Sequence, residues 1–191
     1  MTAAEPYLPT GIICSSGTSG LLKQMSSPYR ICFVCLGNIC RSPMAEMVTR
    51  ALITEAGLSE QIQVSSTGTG DWHIGNPANP GSVRALAARG YDASRHRARQ
   101  LTAADVADYD LLIGLDSANL SDIDDLFDGR DTAGRPEVAL LRDFAPDGPR
   151  GLGVPDPYGQ GALAFEQALD LVEEACRGLV EELAARFSRR G

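Results

Sequence analysis

Lysine is almost missing from this chain: Lys23 is the only one, and every other basic residue is arginine. That bias reads as codon usage in a GC-rich genome and carries no functional weight. Basic residues are also outnumbered, and the net charge of −8 excludes a general affinity for nucleic acid or for an anionic membrane, both of which would repel this surface. A local positive pocket remains compatible with it. No apolar run reaches the ~18 residues of a membrane span, and Ile12-Ile13-Cys14 is too short for the apolar region of a signal peptide. The five cysteines (Cys14, Cys32, Cys35, Cys40 and Cys176) lack the spacing of a secreted disulfide framework. These absences point to the cytoplasm, where thiols stay reduced. No internal repeat divides the 191 residues, a length sufficient for one domain with its own core. Residues 1–28 are rich in Ser, Gly, Thr and Pro without a sustained period, so they read as an N-terminal extension to a domain over 29–191. Met25 is an alternative start for the chain.

What is present is organised around Val34-Cys35-Leu36-Gly37-Asn38-Ile39-Cys40-Arg41-Ser42-Pro43. The preceding Arg30-Ile31-Cys32-Phe33-Val34 suits a buried strand, and the helical pattern that follows takes Ser42 as its N-cap and Pro43 as its first residue. A tight turn between strand and helix points successive N–H groups inward, so residues 36–40 form a cradle for a tetrahedral dianion at a helix N-terminus. The same field favours the Cys35 thiolate. Arg41, six residues on, can grip two phosphoryl oxygens at once, which a lysine cannot do.

Along the rest of the chain, helical spacing covers 43–55, with Met44, Met47, Val48, Ala51 and Leu52 as core rather than cofactor ligands, and 80–90, with Val83, Leu86 and Ala87 inward. Strands are expected at 61–65, 110–115 and 138–141, with a flexible loop from Ser66 to His73. Helices are expected at 117–127 and 162–187, the last facing the core through Leu163, Phe165, Leu169, Val172, Leu179, Val180 and Leu183. Alternation of strand and helix predicts an α/β fold: a doubly wound, four-stranded parallel sheet with helices on both faces and the phosphate-binding loop after the first strand.

Phosphoryl transfer from an ester to Cys35 needs a proton for the leaving oxygen, and Val154-Pro155-Asp156-Pro157-Tyr158 offers a carboxyl group on a loop stiffened by flanking prolines.

The string Cys-x-Gly-Asn-x-Cys-Arg-Ser-Pro on a strand-to-helix turn resembles the phosphate loop of the low-molecular-weight protein tyrosine phosphatases, and 154–158 resembles that family's Asp-Pro acid loop. The resemblance covers about residues 29–188. It implies hydrolysis of phosphotyrosine in protein substrates through a cysteinyl-phosphate intermediate, with Cys35 as nucleophile, Arg41 as phosphate clamp, Asp156 as general acid and base, and no cofactor or metal. Leu36, Gly37, Asn38, Ile39, Cys40 and Ser42 line the phosphate loop by the same resemblance. Trp72 and Tyr158 take the aromatic positions at the pocket wall, although Gly159 stands where the family often has a second aromatic. Asn38, Ser42, Ser66 and His96 match positions that hydrogen-bond beneath the loop, Ser42 also donating to the sulfur, and His96 is expected as an anchor rather than a base. Cys40 matches a second loop cysteine able to cap an oxidised Cys35 as a disulfide. Cys32 and Cys176 read as core.

Three other readings share this pattern. Arsenate reductases of the same fold need resolving cysteines after the loop, and none occurs between Cys40 and Cys176. A related branch acts on phosphoarginine, and there Thr tends to occupy the place that Ile39 has here. A non-catalytic phosphotyrosine-binding module is expected to have lost Cys35 or Asp156. The expected assembly is a monomer or weak homodimer.

Overall fold

The computed structural model describes residues 27–127 and 135–189. The expected N-terminal extension falls outside these residues, apart from the exposed Ser27 and Pro28. β-Branched and aromatic residues make Tyr29–Cys35 the strand β1, and Ile31 through Cys35 are buried because β1 is a central strand with helices packed on both of its faces. The chain continues through α1 (Arg41–Glu55), β2 (Ile62–Gly68), α2 (Pro80–Ala88), β3 (Leu111–Gly114), α3 (Ser117–Asp125), β4 (Glu137–Leu140) and α4 (Ala162–Ser188). The sheet order is β2-β1-β3-β4 and every pairing is parallel.

Alternation along β1 sends its side chains to two cores. Ile31, Phe33 and Cys35 face α1, α2 and α4, packing with Met44, Val48, Leu86, Leu169 and Leu179. Cys32 and Val34 face the other way, toward Leu112, Ile123 of α3 and Phe127. Helices therefore cover both faces, as the alternating pattern predicts. The chain leaves β1 toward β2 on one side and returns to β3 on the other, so the topological switch point lies between β1 and β3. Ligands bind at the carboxyl ends of strands where the order reverses, and Cys35 ends β1 there.

Several local expectations are corrected. Helix α1 begins at Arg41 with Cys40 at its N-cap, and no side chain caps it; Ser42 lies inside the first turn because its hydroxyl is engaged beneath the loop. Ser66, Thr67 and Gly68 belong to β2 rather than to a flexible loop, held by their pairing with Phe33, Val34 and Cys35. In α2 the buried residues are Gly81, Ser82, Ala85 and Leu86, Val83 is half-buried, and Ala87 is exposed. Leu163 is 69% exposed at the start of α4, although Phe165, two residues on, is buried. Among the described residues, no helix is long and apolar enough to cross a membrane.

Candidate active site

Residues 36–40 join the carboxyl end of β1 to α1, and their curvature depends on Asn38. Its φ of 54° is the only positive value outside glycine among the described residues, a conformation Asn tolerates better than most side chains. Four contacts hold it there. Its Nδ2 donates to Ser42 Oγ and to Ser66 Oγ, both at 2.9 Å. Its Oδ1 accepts from the Arg99 N–H at 2.8 Å, and its carbonyl accepts from His96 Nε2 at 2.7 Å. Ser66 in turn donates to Glu46 at 2.5 Å. The loop also lies flush on the end of β2: a Cβ at Gly68 would come within 2.7 Å of the Leu36 carbonyl oxygen and 2.9 Å of the Asn38 nitrogen.

His96 is buried among these groups, and burial lowers its pKa against the opposing pull of the Asn38 carbonyl and the Glu46 charge. It is therefore neutral at neutral pH, and its carbonyl partner places the proton on Nε2. That proton is spent on the Asn38 carbonyl.

Cys35 sits at the floor, 2% exposed, with Sγ 3.0 Å from Ser42 Oγ. Ser42 also lies 3.1 Å from the Thr67 carbonyl oxygen, while Asn38 donates to the same hydroxyl. Its single proton can serve Thr67 or the sulfur; a thiolate, being the stronger acceptor, draws it to Cys35.

Arg41 is buried, and its guanidinium is divided between two loops. Nη1 donates to Asp116 and, at 3.1 Å, to the Val154 carbonyl; Nη2 donates to Asp156 at 2.7 Å. Burial opposes its charge, but the hydrogen bond to Asp116 and the charges of Asp156, Cys35 and Asp116 outweigh that, so its pKa is raised. Arg41 Nε is buried without a partner. Asp116 follows β3 at the switch point and also N-caps α3 in a capping box with Asn119. The Val154 N–H bonds the Leu115 carbonyl at 2.7 Å, tying the acid loop to the end of β3.

These groups open into a cavity of about 120 Å³ lined by Cys35, Arg41, Asp156, Trp72, His73 and Tyr158, with Leu36, Gly37, Ile39 and Cys40 completing its wall. Trp72 and Tyr158 are 61% and 59% exposed, so both stand at the mouth rather than in the core. His73 lies between them, its ring centroid 6.2 Å from each. Asp156 is within reach of both solvent and cavity, and its Oδ1 accepts from the Tyr158 N–H at 3.1 Å. Cys40 is buried at the end of the loop, and burial pushes its thiol up to about 12. Cys32 and Cys176 are fully buried core residues, whereas Cys14 lies outside the described residues.

The structure thus brings the expected site residues together at one loop and adds four. Asp116, Glu46, Thr67 and His73 have no place in the motif. Asp116 could have been found from its position just past a strand at a switch point, and His73 from its neighbour Trp72. Nothing local marked Glu46 or Thr67.

A family model described as "Low molecular weight phosphotyrosine protein phosphatase" matches residues 30–189. The chain is 44% identical over 164 residues to a "Low molecular weight protein-tyrosine-phosphatase" of Streptomyces coelicolor, covering 85% of this chain and 98% of the relative. The crystal structure of YfkJ from Bacillus subtilis superposes with a TM-score of 0.76 at 34% identity, over 84% of this chain and 98% of that one. That of a drosophila arginine phosphatase superposes with a TM-score of 0.73 at 26% identity, over 80% and 96%.

Proposed function

The chain belongs to the low molecular weight phosphotyrosine protein phosphatase family and is a protein-tyrosine phosphatase, and we propose that it works through a phosphocysteine on Cys35. The observation that carries this reading is the pairing, across one small cavity, of a buried sulfur held by Ser42 with an arginine whose partner is the Asp156 carboxylate.

In the first step the Cys35 thiolate attacks phosphorus and the ester bond to the tyrosine oxygen breaks. Asp156, protonated at that moment, gives its proton to the leaving oxygen. The loop N–H groups and Arg41 stabilise the equatorial oxygens as charge builds on them. The unpartnered Nε and the neighbouring Nη2 form the fork that suits two phosphoryl oxygens. An oxygen taking Nη2 displaces Asp156, which then turns toward the leaving group.

In the second step Asp156, now a carboxylate, takes a proton from the water that attacks phosphocysteine. The P–S bond breaks, inorganic phosphate leaves, and Cys35 departs as thiolate with the Ser42 hydroxyl donating to it. Trp72, His73 and Tyr158 form the wall for the phenol ring, where aromatic stacking is favourable. Ser66, Glu46 and His96 act only by holding Asn38.

The substrates are tyrosine-phosphorylated proteins, in the cytoplasm, met by a monomer or weak homodimer. The phosphoarginine reading has a specific observation behind it, since the drosophila arginine phosphatase shares this fold closely; Ile39 and the aromatic wall favour phosphotyrosine. Turnover on phosphotyrosine, phosphoserine and phosphoarginine peptides side by side tests this. Phosphotyrosine should be cleaved fastest, and faster cleavage of phosphoarginine would overturn the assignment.

A further inference from the structure

Behind the phosphate loop, on the side away from Cys35, the chain carries Arg95-His96-Arg97-Ala98-Arg99. Its buried positions alternate with exposed ones: His96 and Ala98 point inward, and Arg95, Arg97 and Arg99 are exposed. The inward side secures the loop through the His96 and Arg99 contacts to Asn38. The outward arginines, with Arg50, line a cavity of about 700 Å³ whose remaining wall includes Met47, Ala51 and Tyr91.

The charges facing this cavity are few. Glu46 and Arg50 neutralise each other at 2.7 Å. Asp92 is the other carboxylate, and it accepts from the Ser94 N–H. Arg95, Arg97 and Arg99 make no ion pair with any described residue; Arg97 Nη1 bonds the His96 and Ser94 carbonyls and Arg99 the Ser66 carbonyl, leaving most of their donors unspent. Four arginines against two carboxylates make this a local excess of positive charge in a chain of net charge −8. Three arginines from one short segment around one cavity match several phosphates better than one.

We propose that this cavity is a binding site for a small polyphosphate anion, carrying two or more phosphoryl groups and held by Arg95, Arg97 and Arg99. Its concavity fits a compact ligand, whereas the net negative surface around it repels long polyanions. The apolar wall of Met47, Ala51 and Tyr91 leaves room for a nucleoside attached to the phosphates.

The test is calorimetric titration of sodium tripolyphosphate into enzyme carboxymethylated at Cys35, so that the adduct fills the phosphate loop. One binding site is expected, and affinity should fall at least ~10-fold in Arg95→Gln/Arg97→Gln and far less in Arg95→Lys/Arg97→Lys, which keeps the charge. ATP in place of tripolyphosphate separates the sources: tighter binding assigns the apolar wall to a nucleoside, and equal binding assigns the site to the phosphate chain alone. No binding to the alkylated enzyme would overturn the proposal, as would equal affinity in the Gln variant. Tighter binding of an oligoglutamate peptide than of tripolyphosphate would overturn it in favour of an acidic peptide surface.

Discussion

Asp116, on the turn after β3, pairs with Arg41 across 75 positions of sequence and fixes the plane of the guanidinium that faces the cavity. Without that partner the guanidinium keeps only the Val154 carbonyl and Asp156, and Asp156 is the one that a phosphoryl oxygen displaces. A hydrogen bond to a charged group contributes about 1.5–3 kcal/mol, so Asp116→Asn should lower kcat/KM roughly 10- to 100-fold. Asn keeps an oxygen able to cap α3, so the melting temperature should move little. Steady-state rates and the inhibition constant of orthophosphate, measured beside thermal unfolding, check this. A fall in stability with unchanged phosphate affinity would restrict Asp116 to its capping role.

Cys35→Ser should abolish turnover while retaining oxyanion binding, because the loop amides and Arg41 remain but a hydroxyl is a far weaker nucleophile. Arg41→Ala should lose both. Rates with nitrophenyl phosphate and calorimetry with orthophosphate separate the two effects. More than trace activity in Cys35→Ser would rule out the covalent route.

The legibility of this site in the sequence follows contact distance. Cys35, Asn38 and Arg41 lie within seven residues, so one motif exposed the loop, and alternation of strands and helices was enough for a doubly wound sheet. Asp116 and Glu46 act through contacts to Arg41 and Ser66 that only the fold creates. Ser42 was misread for a physical reason. Serine before a proline-led helix is a strong cap signal, yet here its hydroxyl is claimed by Cys35, Asn38 and the Thr67 carbonyl. Likewise Ser66 to Gly68 looked like loop because small polar residues rarely make strands, and the parallel partner β1 overrode that preference.

Mild peroxide should inactivate the enzyme reversibly, the sulfenic acid of Cys35 being trapped by Cys40 as a disulfide with loss of water. The Cys40 thiol is pushed up to about 12 by burial, so little of it is thiolate at neutral pH. Trapping should therefore quicken as pH rises toward 9. Recovery with reductant after timed peroxide exposure at pH 6.5 and 8.5 measures it. Cys40→Ser enzyme recovering as fully as the parent would dismiss the trap.

His96 makes stability depend on pH. Its folded pKa is lowered below 6.5, so between that value and 6.5 the unfolded chain binds a proton that the folded chain does not. Stability contributed by neutral His96 is present above 6.5 and is lost as pH falls through that window. The melting temperature should drop on acidification below about pH 6.5, and His96→Gln should flatten that part of the curve. Parallel curves for the two proteins would show that other groups set the dependence.

Asp156 is asked to act twice, as acid when the phenol leaves and as base when water attacks phosphocysteine. Removing a positioned general acid costs about 10²- to 10⁴-fold in rate. The loss in the first step must depend on how much the leaving oxygen needs a proton. Phosphotyrosine releases a weakly acidic phenol and should suffer the full penalty in Asp156→Ala, while nitrophenyl phosphate, whose phenolate is stable, should suffer a small one. The second step has no leaving-group dependence, so phosphoenzyme should accumulate in the variant with the nitrophenyl substrate. Asp156→Ala also frees Arg41 Nη2 from its present partner, and orthophosphate should bind at least as tightly as in the parent. Single-turnover bursts with both substrates separate these effects. Equal losses across leaving groups of different acidity would mean that Asp156 only positions Arg41, and the proton donor would then have to be sought at Asp116, the other carboxylate on Arg41.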